Sequence, residues 1–146
     1  MNEGLSKKLG KSDESGFDFA KEMLDGDPTA GINFDRLQRH PTKGYIIFEY
    51  LLCEEAQMVN PYTSHPRRYW DKNSRKFISL WKVTQDLNAT LYLVNYAKKG
   101  TAHENKVLLI KVLKLNDTGI LEEEQTKTTR SEFKRFFREL NRECLK

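Results

Sequence analysis

An acidic residue stands inside an apolar stretch of this sequence. Glu49 lies within Tyr45–Glu55 (YIIFEYLLCEE), a run rich in β-formers that predicts a buried strand. An ionised carboxylate there is costly unless a cation, hydrogen bonds or a metal ion compensates it. Glu49 is therefore a candidate functional carboxylate. Two structural alternatives stay open: Lys111, a cation inside KVLLIKVLKL, could pair with it, or the strand face could be only half-buried.

A second carboxylate lies one short turn before this strand. Asp35 falls in the short predicted strand Ile32–Arg39, and residues 41–44 (PTKG) have turn composition. The two strands are predicted to pair antiparallel, so Asp35 and Glu49 can project to one edge of the sheet. Two hard oxygen ligands suit Mg²⁺, and such an ion can activate a water for phosphodiester cleavage. Taken alone, Asp35 is better explained as a solvated carboxylate at a strand end.

Three stretches place apolar residues at helical spacing and predict helices: Ser15–Asp25, Arg75–Asn88 and Thr129–Cys144. Ser74 is positioned to cap the second helix. Thr129 caps the third, with Glu132 three residues further on, as in a capping box. The third helix also carries cations opposite its apolar stripe, which is typical of a solvated face, with a phosphate-binding or dimer contact as the alternative: Lys134, Arg135, Arg138 and Arg142.

Two further strands complete the pattern. Thr90–Ala97 and Lys106–Leu115 are predicted to pair as a long hairpin, and Thr90–Ala97 could lie parallel to Tyr45–Glu55 through a right-handed crossover. The order helix, strand, strand, helix, strand, strand, helix predicts an α/β (α+β) domain. Its central mixed sheet should be flanked by helices.

Length and composition fit one domain. Residues 15–146 should form it, and residues 1–14, polar and broken by glycine, are predicted to be a mobile lead-in. Cys53 and Cys144 lack the spacing of a zinc or disulfide framework and should be reduced thiols. No apolar run approaches the ~20 residues of a membrane span, and no secretory signal is present, so the cytoplasm is expected. The net charge of +4 and pI near 9.0 are compatible with a nucleic-acid partner.

The order of acidic residues and elements resembles the PD-(D/E)xK nuclease superfamily, which includes restriction endonucleases and Holliday-junction resolvases. The resemblance covers about Ser15–Ala97: a helix carrying Glu22, then Asp35, then Glu49 in an apolar strand, then an amphipathic helix and a strand. It implies a restriction-endonuclease-like core. It also implies Mg²⁺ (or Mn²⁺) held by Asp35 and Glu49, with Glu22 as an accessory ligand.

The family's lysine is missing from its usual place. Two residues beyond Glu49 stands Leu51, where the motif has the lysine that orients the attacking water. Some members carry that lysine on the following helix, where Lys82 is the preferred candidate. Lys76 is the second candidate, ranked lower because it lies near the predicted helix start, and it is also assigned to nucleic-acid binding. Gln85 is a further polar candidate for the site.

The loop SHPRRYWDKN mixes cations with aromatic residues. Arg67 and Arg68 could contact phosphates while Tyr69 or Trp70 stacks on a base. The alternative is that the aromatic residues plug the core and the arginines face water. His65 has no second His or Cys nearby and is expected to be a plain loop histidine.

These features predict metal-dependent hydrolysis of nucleic acid, with DNA preferred over RNA. The alternative is a non-catalytic module, derived from the same fold, that binds nucleic acid or protein. The chain has no GxxxxGK[ST], GxGxxG or GxSxG pattern, which argues against the standard nucleotide loops and the hydrolase elbow. A homodimer would suit cutting of two strands, and a short nuclease-like chain would suit a phage or mobile element.

Overall fold

The computed structural model describes residues 15–54 and 58–146. Its elements, in chain order, are α1 (Ser15–Leu24), β1 (Arg36–His40), β2 (Gly44–Cys53), a 3₁₀ turn (Pro66–Tyr69), α2 (Trp70–Asp86), β3 (Thr90–Ala97), β4 (Lys106–Asn116), β5 (Gly119–Thr129) and α3 (Arg130–Cys144). The predicted lead-in, residues 1–14, lies outside the described residues. Within the two described ranges, no helix has the length and apolar character needed to cross a membrane.

The strands form one mixed sheet in the order β1-β2-β3-β4-β5. β2 and β3 run parallel, with α2 in the crossover between them, and the other neighbouring pairs are antiparallel. The predicted β1–β2 pairing, the parallel crossover and the β3–β4 hairpin are confirmed. The α+β class, with a mixed sheet flanked by helices, is confirmed as well.

The sheet buries apolar residues on both faces. On one face α2 supplies Phe77 and Leu80 to a cluster with Ile47, Leu91 and Ile110. On the other face α3 covers a second cluster: Ile46, Phe48, Val94, Val107 and Leu140, packed with Phe133, Phe136 and Phe137. Because side chains alternate along a strand, neighbours such as Ile47 and Phe48 serve opposite layers.

The predicted starts of two elements were wrong. The strand predicted at Ile32–Arg39 is β1, Arg36–His40, so Asp35 lies just before it. α2 begins at Trp70, five residues earlier than predicted, and Ser74 is inside the helix rather than its cap. The helix starts early because the 3₁₀ turn leads directly into it.

The strand β5 was not predicted at all. No element was predicted between Leu115 and Thr129, yet the strand Gly119–Thr129 pairs along most of β4. Most of its side chains are exposed to solvent, because β5 is the last strand at one edge of the sheet. Thr129 ends this strand and caps α3, accepting a hydrogen bond from the Glu132 backbone N–H, so the predicted cap is confirmed.

Candidate active site

Glu49 lies in β2 on the face covered by α2. It stands in register with Leu93, which stands in register with Ile110, and both belong to the core cluster beneath α2. Only 5% of Glu49 is exposed to solvent. The third explanation considered from the sequence, a half-buried strand face, is therefore wrong, and the buried carboxylate requires compensation by its neighbours.

Asp35 meets Glu49 at the end of β1. The register pairs Arg36 with Phe48, so the next step along the two strands sets Asp35 opposite Glu49. The Oδ2 atom of Asp35 accepts a hydrogen bond of 2.8 Å from the backbone N–H of Tyr50. This bond fixes the Asp35 side chain over β2, although Asp35 itself is exposed.

The cation beside this pair comes from α2. Lys76 Nζ lies 2.8 Å from Glu49 Oε2, and the Lys76 side chain is 42% exposed whereas that of Glu49 is 6% exposed. Lys76 is the seventh residue of α2, and its neighbours Phe77 and Leu80 anchor the helix in the core. The ammonium therefore reaches from the solvent side to a carboxylate that is set into the sheet.

The neighbours of Glu49 only partly offset the cost of burying its negative charge. Burial raises the pKa of Glu49, the hydrogen bond and positive charge of Lys76 lower it, and the hydrogen bond and negative charge of Asp35 raise it again. The resulting pKa is about 7 instead of 4.5. A carboxyl that titrates near neutrality beside a second carboxylate favours a further cation, and strongly shifted groups of this kind cluster at functional sites.

An open cleft of about 480 Å³ gives access to the three side chains. One wall is the segment that leads into β1, and the other is the exposed side of α2. The lining residues are Gly31, Ile32, Asn33, Phe34, Asp35, Glu49, Arg75, Lys76 and Ser79. The cleft is thus lined by two carboxylates, Asp35 and Glu49, and by two cations of α2, Arg75 and Lys76.

Lys111 is not the partner of Glu49. It stands in register with Tyr92, which pairs with Phe48, so Lys111 and Glu49 project to opposite faces of the sheet. Lys111 lines a separate groove beside α3. The ion pair between Glu49 and Lys111 that the sequence left open is therefore wrong.

Three predicted site residues lie apart from this cleft. Glu22 is exposed on α1, a helix with no buried residue, and is not among the residues that line the cleft. Lys82 is exposed on α2, six residues after Lys76, which rotates it to another side of the helix and about 9 Å along its axis. Gln85, also exposed, lies a further turn away.

The arginines and aromatic residues before α2 divide between surface and core. Arg67 and Arg68 are exposed in the 3₁₀ turn, and Tyr69 is half-buried. Trp70 stacks on Phe77 with ring centroids 5.7 Å apart, so this aromatic residue packs against the core. The four cations of α3 that were considered from the sequence face solvent: Lys134, Arg135, Arg138 and Arg142.

His65 ties the loop before α2 to β5. Its Nδ1 accepts a hydrogen bond of 3.0 Å from the Arg67 backbone N–H, and its Nε2 lies 2.7 Å from Glu123 Oε1. Both ring nitrogens thus have partners inside the protein. The histidine lies in the loop as predicted, but it is buried, and its contact with Glu123 holds the loop against β5.

The donor set at the cleft suits a hard divalent ion. Among the described residues there is no group of three or more His, Cys, Asp or Glu side chains that could hold a metal. Mg²⁺ needs fewer, because it commonly binds one or two carboxylates and keeps waters or substrate phosphates as its other ligands. Asp35 and Glu49 meet that requirement.

Sequence reasoning missed the two other residues of α2 that line the cleft, Arg75 and Ser79, and the segment of residues 31–34. Arg75 and Ser79 share a side of α2 with Lys76, because Ser79 lies three residues after Lys76 and four after Arg75. This pattern was present in the sequence, but reading it depended on knowing where α2 begins. With the helix starting at Trp70, the second turn carries Arg75 and Lys76 to the cleft, and the third turn carries Ser79.

Comparisons of the chain with protein-family models, with curated proteins and with solved structures found no match. The resemblance to the PD-(D/E)xK superfamily therefore stays a prediction.

Proposed function

We propose that this chain is a Mg²⁺-dependent nuclease of the restriction-endonuclease-like type. The observation that carries the proposal is the meeting of Asp35, Glu49 and Lys76 at one open cleft. Two carboxylates can hold a hard cation, and a lysine beside them can position a water or a phosphate oxygen, as metal-assisted phosphodiester hydrolysis uses. Three segments distant in sequence supply them.

In this proposal Asp35 and Glu49 hold the divalent ion, Mg²⁺ or Mn²⁺. Bound there, the ion would supply an activated water and charge stabilisation for the leaving oxygen. Asp35 keeps one oxygen on the Tyr50 backbone N–H, which leaves its other oxygen for the ion. Because the pKa of Glu49 is about 7, ion binding near neutrality displaces a proton from Glu49, and affinity should fall as pH drops below that value.

Lys76 takes the part that the sequence analysis gave first to Lys82. An ammonium has three N–H donors, and one of them is directed to Glu49 Oε2. The other two are free to hold a water or a phosphate oxygen in the cleft, since Lys76 stands on its solvent side. Its role is to position these groups next to the carboxylates.

The surface around the cleft suits a polyanion. Arg75 lines the cleft beside Lys76, and Arg67 and Arg68 are exposed at the start of the same helical segment. Cations placed this way contact phosphates and make binding dependent on salt. We propose nucleic acid as substrate, with DNA preferred over RNA.

The test is a cleavage assay on duplex, single-stranded and branched DNA and on RNA, with Mg²⁺ or Mn²⁺. We expect cutting of at least one substrate form, and loss of about 100-fold or more in Glu49→Gln, which keeps shape but removes the charge. Glu122→Gln, an exposed carboxylate on β5, is the matched control and should cut like the parent. Cutting by Glu49→Gln at the parent rate would refute the site.

A non-catalytic module that binds nucleic acid or protein is the second candidate. The contact between Lys76 and Glu49 favours it, because that ion pair partly neutralises the buried carboxylate without any metal. Under this reading the pair is structural, so its loss changes stability and leaves no activity to lose. Absence of cutting on every substrate, together with a folded Glu49→Gln variant, would select this candidate.

A further inference from the structure

The helix α3 carries charges of opposite sign on separate sides. Each residue turns an α-helix by about 100°, so the side on which a residue lies follows from its number. Four cations fall within about 100° of arc and form a cationic row: Lys134, Arg135, Arg138 and Arg142. Three carboxylates lie beside them within about 40° and form an acidic row: Glu132, Glu139 and Glu143. A helix face that only needs to be solvated can intersperse the two signs, so their separation points to a partner of one charge.

The two rows differ in their partners within the fold. In the acidic row, Glu143 Oε1 lies 2.6 Å from His40 Nε2, and Glu139 forms an ion pair with Arg142. The other three cations of the cationic row form no ion pair with any carboxylate that the structure describes. The cationic row therefore keeps most of its positive charge unneutralised.

The cationic row faces away from the sheet. The apolar side of α3, centred about 180° around the helix from the row, packs on the sheet: Phe133, Phe136, Phe137 and Leu140. All four cations are exposed. They line an open concavity of about 260 Å³ together with one hydroxyl, that of Ser131, and the described residues add no carboxylate and no apolar side chain to its lining.

This composition favours phosphates over other anionic partners. A membrane-binding helix inserts apolar side chains beside its cations, whereas the apolar side of α3 is turned to the sheet. Protein interfaces are centred on aromatic or apolar anchors, and the concavity has none among its described lining residues. The phosphates of a nucleic acid require only cations, and arginine, which supplies three of the four here, can bind them with two parallel hydrogen bonds.

We propose that the cationic row binds the phosphate backbone of a nucleic-acid segment other than the one in the cleft. The cleft lies on the face of the sheet that α2 covers, and α3 covers the opposite face. A short duplex is stiff, so one such duplex does not contact both sides of the sheet. The inference rests on nucleic acid as the partner in the proposed function, and it does not require cleavage.

The first test counts the short DNA duplexes bound by the full chain, in metal-free buffer at low salt so that nothing is cut. A labelled duplex of about 12 base pairs is present in excess, and sedimentation velocity gives the number bound per chain. The row variant carries Arg135→Gln and Arg138→Gln. The control carries Lys98→Gln and Lys99→Gln, two exposed residues after β3, and loses the same charge. All four positions are exposed and glutamine is compatible with a helix, so both variants should keep the fold, which circular dichroism checks.

We expect about two duplexes per chain for the parent and the control, and about one for the row variant. One duplex on the parent that only the row variant loses also supports the row, and it removes nucleic acid from the cleft. No binding by the parent, equal numbers for all three proteins, or the same loss in both variants overturns the inference.

The second test distinguishes the kind of anion by NMR of the Nε–H groups of Arg135 and Arg138 in the parent. We expect the duplex to shift both signals, and the shifts to reverse as salt is added. Polyglutamate and vesicles that contain phosphatidylserine are the reference ligands. No shift with the duplex, or an equal shift with polyglutamate or the vesicles, would show that the row does not select nucleic acid.

The two proposals fail in different ways. Cutting of DNA by a parent whose binding is the same in the row variant overturns the cationic row as a binding surface and leaves the nuclease. A duplex lost only in the row variant, without cutting of any substrate, overturns the nuclease and leaves a nucleic-acid-binding chain.

Discussion

Lys76 reaches Glu49 from a helix that crosses between the two parallel strands, with Nζ 2.8 Å from Oε2. Leu51, the residue two positions beyond Glu49, instead packs half-buried against the core on the same face. A cation can therefore stand beside the carboxylate even though β2 itself carries none near Glu49. In the proposed site Lys76 of α2 supplies the cation that the motif lysine would supply from the strand.

Glu49 should make the stability of the protein depend on pH. Its pKa is about 7 in the fold and about 4.5 in the unfolded chain, so the folded state binds the proton more tightly. The free energy of unfolding should then fall as pH rises from about 5 to about 8, by about 2.5 kcal/mol from this group. Glu49→Gln should lose that component, because glutamine does not ionise.

Urea unfolding of parent and variant at several pH values measures this component. Other titrating groups are the same in both proteins, so the difference between the two curves isolates Glu49. A difference that stays constant across this pH range would show that Glu49 is not a buried carboxyl with a raised pKa.

Asp35→Asn should lower the pKa of Glu49. Both the charge of Asp35 and its hydrogen bond to Glu49 raise that pKa, and the amide removes the charge while keeping an oxygen for the Tyr50 N–H. Titration of the Glu49 side-chain carboxyl by ¹³C NMR reports the shift directly. Asp86→Asn, exposed on α2, is the control, and a Glu49 pKa that follows both variants equally would argue against the contact.

Lys76→Gln and Lys82→Gln separate the two lysines of α2. If the chain cuts nucleic acid, we expect Lys76→Gln to reduce the rate by about 100-fold and Lys82→Gln to change it by less than about twofold. The reason is that only Lys76 contacts Glu49 and lines the cleft. The opposite order of effects would restore Lys82 to the site and remove Lys76.

Leu80 should hold α2, and with it Lys76, against the sheet. It is fully buried one turn after Lys76, and Leu80→Ala should lower the free energy of unfolding by about 3 kcal/mol. Leu113→Ala, on a residue that is 42% exposed in β4, should cost less than about 1 kcal/mol. Equal losses in chemical unfolding would mean that α2 is not packed as described.

The strands of the sheet could be predicted where burial requires apolar residues. β3 has the predicted bounds, Thr90–Ala97, because both of its faces are covered and its sequence is apolar almost throughout. β5 could not be found in this way, since Gly119–Thr129 is an edge strand whose residues face solvent and read as a polar loop. Its pairing is decided by β4 and not by its own composition.

The candidate site was partly readable from the sequence for a similar reason. Glu49 was singled out because it is a charged residue in an apolar strand. Lys76 was ranked below Lys82 because the helix start was placed at Arg75, which put Lys76 in the first turn of the helix instead of the second. Which lysine contacts Glu49 depends on which side of α2 faces the sheet. That orientation depends on where α2 begins, directly after the 3₁₀ turn.

Calorimetric titration with Mg²⁺, repeated with Mn²⁺, near pH 8 tests the two-carboxylate site most directly. At that pH Glu49 is mostly ionised, and the account predicts about one ion bound per chain, with binding abolished in Asp35→Asn and preserved in Asp86→Asn. Absence of binding in the parent, or unchanged binding in Asp35→Asn, would contradict it.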